Sequence, residues 1–176
     1  MVGGVLKVNG TDYIVLVGGA AAGATTASSA VLVFDPVADT GTALAADPWP
    51  GNAGGVVLPG GAAVYANKLY VFGGLHLGVG MVDTIWSFDP LAAAGSRWTE
   101  MSATLPTPLG YIPTATSGRY IYLLGGSEYV DGSPSDSTHA YRYDPQLDVI
   151  APITAVPRPT GETRAVTQRD GRIWLL

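Results

Sequence analysis

The sequence predicts an all-β chain built of repeated four-stranded antiparallel units, the form of propeller blades. Three observations carry this. A short apolar strand runs into a glycine pair three times, at Gly18-Gly19, Gly73-Gly74 and Gly125-Gly126, with spacings of 55 and 52 residues. An aromatic residue followed by Asp-Pro recurs behind each pair, at Phe34-Asp35-Pro36, Phe88-Asp89-Pro90 and Tyr143-Asp144-Pro145. No helical period intervenes. A repeat near 50 residues made of short strands and tight turns is the period of a propeller blade.

Each unit reads in the same order. Its first strand, near residues 4–8, 62–66, 113–117 and 164–169, ends in a hairpin turn, at Asn9-Gly10, Asn67-Lys68, Ser117-Gly118 and Asp170-Gly171. Asn-Gly and Asp-Gly accept the positive φ that a two-residue hairpin demands. The second strand is the apolar one: 13–17, 69–72, 120–124 and, in a fourth copy, 172–176. Its closing glycines suit a strand end that needs positive φ or a close approach by a neighbouring chain. The third strand, 30–34, 84–88 and 140–143, stops at Asp-Pro because proline has no amide to give the ladder and Asp caps its own turn. A fourth strand is expected at 97–101, and with weaker patterns at 42–46 and 148–153.

The aliphatic strand ending in Gly-Gly, the aromatic strand ending in Asp-Pro, and Trp98 eight residues past Pro90 together resemble the kelch repeat, over nearly the whole chain. The resemblance implies a kelch-type β-propeller segment of the galactose oxidase-like superfamily. It would hold three four-stranded blades and the first two strands of a fourth, in units of about 4–47, 60–101, 111–153 and 163–176. The chain is therefore expected to be a piece of a larger propeller. Where Trp98 stands in the second unit, the first has Leu44 or a neighbour and the third an aliphatic near Ile150–Ile153, which implies altered blade-to-blade contacts.

Composition excludes several classes. With 47% hydrophobic residues and a net charge of −5 the chain buries a core rather than staying disordered. Having no cysteine, it has no disulfide, thiolate metal site or cysteine nucleophile. Mild acidity argues against nucleic acid, although five of nine basic residues fall between Arg142 and Arg172. The longest near-apolar window, residues 13–24, is short of the roughly twenty needed to span a bilayer. The first residues lack the basic flank and apolar stretch of a signal peptide, so a cytoplasmic setting is favoured.

Residues 14–35 imitate a dinucleotide-binding unit, a strand followed by Gly18-Gly19-Ala20-Ala21-Ala22-Gly23 and a later Asp35. That fold wants G-x-G-x-x-G opening a helix; here the middle glycine falls at Ala20 and the blade repeat explains the same residues. Asn9-Gly10-Thr11 matches a glycosylation sequon but occupies a hairpin turn. His76 and His139, the only histidines, lie in different units without metal-ligand spacing. No catalytic triad or carboxylate pair can be placed, no cofactor is expected, and Asp35, Asp89 and Asp144 match one another as turn residues.

Propellers bind through loops on one end of the ring. The resemblance implies a functional face made of the loops after the glycine pairs (20–29, 75–82, 127–137) and between blades (47–59, 102–110, 154–161). The candidates there are His76, Trp49, Glu128, Tyr129, Asp131 and Arg158, with Glu162 and Arg164 where the fourth unit begins. The leading functional reading is a non-catalytic scaffold that binds a protein partner. The alternative is part of a saccharide-acting enzyme. Of the enzymes of this architecture, copper radical oxidases need a Cys-Tyr crosslink absent from this segment, whereas sugar isomerases use acidic and basic groups in the central funnel, where Glu162 and Arg164 would serve. A third expectation is self-association through open apolar blade faces.

Overall fold

The computed structural model describes residues 1–176. It contains β1 (Val2–Val8), β2 (Thr11–Val17), β3 (Val31–Asp35), β4 (Thr40–Ala43), β5 (Val57–Tyr65), β6 (Lys68–His76), β7 (Gly80–Phe88) and β8 (Trp98–Glu100). These are followed by β9 (Thr114–Ser117), β10 (Tyr120–Leu124), β11 (Ser127–Val130), β12 (Ser133–Asp136), β13 (Ala140–Asp144), β14 (Val149–Pro152), β15 (Ala165–Thr167) and β16 (Ile173–Leu175). Three four-stranded antiparallel sheets result, β1-β2-β3-β4, β5-β6-β7-β8 and β9-β10-β13-β14, with two-stranded pairs β15-β16 and β11-β12. No helix is long and apolar enough to cross a membrane.

Two turns fall one residue away from where sequence places them. Ala66 and Asn67, not Asn67 and Lys68, take the positive φ of the second hairpin, and Gly118 and Arg119 form the third. The Asn67 side chain is then free to reach the neighbouring sheet. Its Oδ1 accepts from the Lys7 amide at 2.7 Å and its Nδ2 donates to the Lys7 carbonyl at 2.9 Å. The stretch 20–29 that imitated a nucleotide-binding helix is irregular, and β2 pairs antiparallel with β3, which no dinucleotide-binding βαβ unit does.

All six residues of the glycine pairs have positive φ, from 51° at Gly73 to 153° at Gly74. The three Asp-Pro carboxylates close their own turns. Asp35 accepts from the Val37 and Ala38 amides at 2.9 and 3.0 Å, Asp89 from Leu91 at 2.9 Å, and Asp144 from Gln146 at 3.1 Å.

The core lies between sheets, not within one. Leu6, Val15, Val17 and Val31 of the first sheet pack on Leu69, Val71 and Phe88 of the second. On its other face, Tyr70, Phe72 and Ile85 pack on Ile121, Leu123, Tyr141 and Tyr143 of the third. Trp98 lies against Phe88 with ring centroids 5.0 Å apart; Leu44 and Ile150, its counterparts in the other units, pack against the same two clusters. Strands β1, β5, β9 and β15 stand side by side as the innermost strands, joined by hydroxyl rungs from Thr116 to the Val64 carbonyl and from Thr167 to the Thr116 carbonyl, both 2.8 Å.

Aspartates stitch the sheets at their outer strands. Asp148 Oδ2 accepts from the Ser102 amide at 2.7 Å and the Ala103 amide at 3.3 Å, while Oδ1 accepts the Tyr143 hydroxyl at 2.9 Å. Burial first, then the hydrogen bond to Asp148, raises the Tyr143 phenol far above its ordinary 10.0. The unfolded chain ionises this tyrosine near its ordinary value and the folded chain does not. Its contribution is therefore fully present below pH ~10 and falls as pH rises further. Urea midpoints of the wild-type chain are expected to drop above pH ~10, and Tyr143→Phe, itself less stable, should show a shallower drop. An unchanged slope in the variant would contradict the assignment.

Candidate functional site

The starts of the inner strands β1, β5, β9 and β15, with Ile14 and Leu16 of β2, enclose a cleft of about 760 Å³. Its walls are residues 1–5, 58–62, 111–114 and 162–165. Small residues keep it open: Gly3, Gly4, Gly60 and Gly61 line two of the walls.

Three side chains with usable chemistry meet there, Tyr111, Glu162 and Arg164. Tyr111 and Glu162 both hold a left-handed backbone, φ 51° and 54°, a conformation that costs a non-glycine residue energy and collects at functional sites. The Glu162 amide donates to the Tyr111 carbonyl at 3.3 Å, tying the two walls together. Burial raises the Tyr111 phenol, and the Glu162 carboxylate adds to the rise. Burial lowers the Met1 amine, with Arg164 assisting. The Thr163 hydroxyl between them is buried with no protein partner. A carboxylate, a guanidinium and two hydroxyls around one cavity can bind a polar ligand through several directed hydrogen bonds.

A second hollow of about 310 Å³ lies between two raised hairpins. In place of the loop expected at 75–82, β6 and β7 continue past a bulge at Gly73, with His76 opposite Gly80. In place of the loop at 127–137, β11 and β12 pair from Ser127↔Asp136 to Val130↔Ser133. Short polar and glycine-rich segments such as Asp131-Gly132 read as loop from sequence, yet the glycines inside the two turns, Gly78 and Gly132, have positive φ and close hairpins. Val79, Met81, Thr107, Glu128 and Tyr129 line the hollow.

The sequence candidates thus separate. Glu162 and Arg164 share the cleft; Glu128 and Tyr129 share the second hollow; Asp131 sits at the tip of the β11-β12 hairpin. Glu128 is engaged by its own hairpin, accepting from Ser137 Oγ at 2.7 Å and lying 3.3 Å from His139 Nε2. His76 ends a strand rather than a loop, its Nδ1 3.2 Å from the Leu77 carbonyl. Arg158 is exposed and lines neither cavity. Trp49 is not on the face at all: it is 1% exposed, inside the cluster between the first two sheets. Tyr111 and Met81 carry no repeat landmark, so nothing in the sequence marks them.

No family model matches the chain. An F-box/kelch-repeat protein of Arabidopsis thaliana is 32% identical over 89 residues, which are 51% of this chain and 18% of that protein. The solved structure of YjhT matches with a TM-score of 0.72 at 19% identity, over 99% of this chain and 57% of YjhT, a likeness of fold. The chain spans less than a fifth of the length of the first and little more than half of the second. The triple Gly-Gly and aromatic-Asp-Pro register, folded into successive four-stranded antiparallel sheets, has the fold of a kelch-type propeller segment and resembles kelch-repeat proteins.

Proposed function

We propose that the chain is a binding scaffold that presents its glycine-pair end to a protein partner. One observation carries this: the β6-β7 and β11-β12 hairpins rise beside each other and hold Val79 (69% exposed) and Val130 (48% exposed) in water around Tyr129. Isolated exposed apolar residues are ordinary, but two flanking an aromatic-lined hollow on rigid hairpins form an anchor of the kind that protein interfaces use. Acidic Glu128 and Asp131 supply a polar rim.

The test is capture of a partner by the purified chain, followed by titration with that partner purified in turn. The pair Tyr129→Ala with Val130→Ser is expected to weaken binding at least about tenfold, as loss of one aromatic anchor does, with the thermal melt unchanged. Binding indifferent to both changes would refute the hairpin surface.

The cleft supports a second reading, action on a saccharide, because Tyr111, Glu162 and Arg164 converge there. Turnover of a saccharide that is lost in Arg164→Ala and kept in the hairpin pair would favour it over the scaffold.

A further inference from the structure

The hollow between the β6-β7 and β11-β12 hairpins lies between the second and third sheets, each a full set of four strands. Its floor is apolar and adaptable. Met81 packs its thioether against Gly110, where a Cβ would come within 2.7 Å of the sulfur, and the Tyr129 ring rests beside Gly80 of the opposite hairpin. An unbranched thioether reshapes its surface at little cost. Val79 and Pro108 complete the lip. Exposed Val79 and Val130 carry the apolar surface beyond the hollow itself, further than one small ligand would cover.

The fixed charges around this hollow are all of one sign. Residues 75–83, 101–110 and 127–137 contain Asp83, Glu128, Asp131 and Asp136, and no Lys or Arg. Asp136 is engaged by Ser127 Oγ at 3.0 Å. Glu128 is held but not used up. Its Oε1 takes both the Ser137 hydroxyl at 2.7 Å and the approach of His139 Nε2 at 3.3 Å, which leaves Oε2 for a ligand. A carboxylate fixed through one oxygen presents the other with little entropy left to lose. Asp131 stands exposed at the hairpin tip. Arg158, the one basic residue in the loops of this end, does not line the hollow.

On the reading of the chain as a protein-binding scaffold, we propose that the hollow takes an extended segment of the partner in which a large aliphatic side chain has Lys or Arg one or two residues away. The aliphatic side chain enters between Met81 and Tyr129. The basic group meets Glu128 Oε2 and Asp131 on the rim. Apolar burial supplies the affinity, while the rim carboxylates orient the segment and reject acidic ones.

The probe is a phage-displayed library of short random peptides selected on the immobilised chain, with enriched peptides resynthesised and titrated by fluorescence anisotropy. Enriched peptides are expected to pair an aliphatic residue with a nearby Lys or Arg, and their binding to weaken as salt rises. Glu128→Gln combined with Asp131→Asn should weaken them at least about fivefold at low salt and leave the thermal melt unchanged. Gln still accepts from Ser137, and Asn suits the left-handed φ of 49° at position 131. Enrichment of neutral or acidic peptides overturns the inference and leaves the scaffold reading standing, as does binding indifferent to the loss of both charges. A library without enriched peptides also overturns it, the scaffold being judged separately by capture of a whole partner. Peptides of the expected pattern that bind equally well after Tyr129→Ala with Val130→Ser overturn both.

Discussion

Gly74→Val is expected to abolish cooperative folding. Gly74 has φ 153°, and a Cβ built there runs into the carbonyl oxygen of Leu58 on the adjacent strand β5, a backbone atom that cannot move aside alone. Its amide also donates to the Leu109 carbonyl at 2.9 Å, in the segment leading to the third sheet. Strain at this point therefore breaks a joint between sheets. Backbone strain and overpacking together place the cost at about 4 kcal/mol or more, a large part of the stability of a domain this size. Gly41→Val is the control: Gly41 lies on exposed β4 with no positive φ, and a Cβ there meets nothing within 4 Å. Circular-dichroism melts should show no cooperative transition for the first variant and a wild-type transition for the second. A wild-type melt for Gly74→Val would mean that the glycine pairs are not the joints that the register makes them.

Asp47→Ala is expected to be the most damaging change at a side-chain joint. Asp47 is 3% exposed, in the connection between the first two sheets. Its Oδ1 accepts from the Gly95 amide at 2.9 Å and the Arg97 amide at 3.2 Å, and its Oδ2 from the Arg97 guanidinium at 2.7 Å. Its own carbonyl accepts the Trp98 indole N–H at 3.1 Å, seating the ring that packs on Phe88. Removing the carboxylate leaves two amides and a largely buried guanidinium without partners, a loss of about 3–5 kcal/mol for a buried pair broken on one side. In a chain of this length that lowers the melting temperature by about 6–20 °C. Asp12→Ala removes an exposed pair with Lys7, worth about 0–1 kcal/mol, and should change little. If both variants melted alike, the Asp47 joint would be dispensable.

The blades were legible because their signals are local. Period-2 apolar runs, glycine at strand ends and Asp-Pro at strand exits act through backbone conformations of one to three residues, so the repeat displayed them three times over. Errors arose where a segment read as polar or glycine-rich was nonetheless paired, as at His76–Gly80 and Ser127–Asp136, since pairing depends on a partner strand and not on the segment's own composition. Trp49 failed for a related reason: its connecting segment is irregular, yet it folds back so that the indole fills the gap between two sheets.

The sequence by itself determined the repeated four-stranded units and their Gly-Gly and Asp-Pro landmarks, because each depends on neighbours in the chain. Only the tertiary structure decided which residues share a cavity. Tyr111, Glu162 and Arg164 come from segments about 50 residues apart and meet because consecutive inner strands pack side by side, placing the start of one next to the start of the next. No periodicity encodes that meeting. It follows from the packing of whole sheets through their apolar faces, a long-range result of where Leu69, Phe72 and Tyr143 are buried.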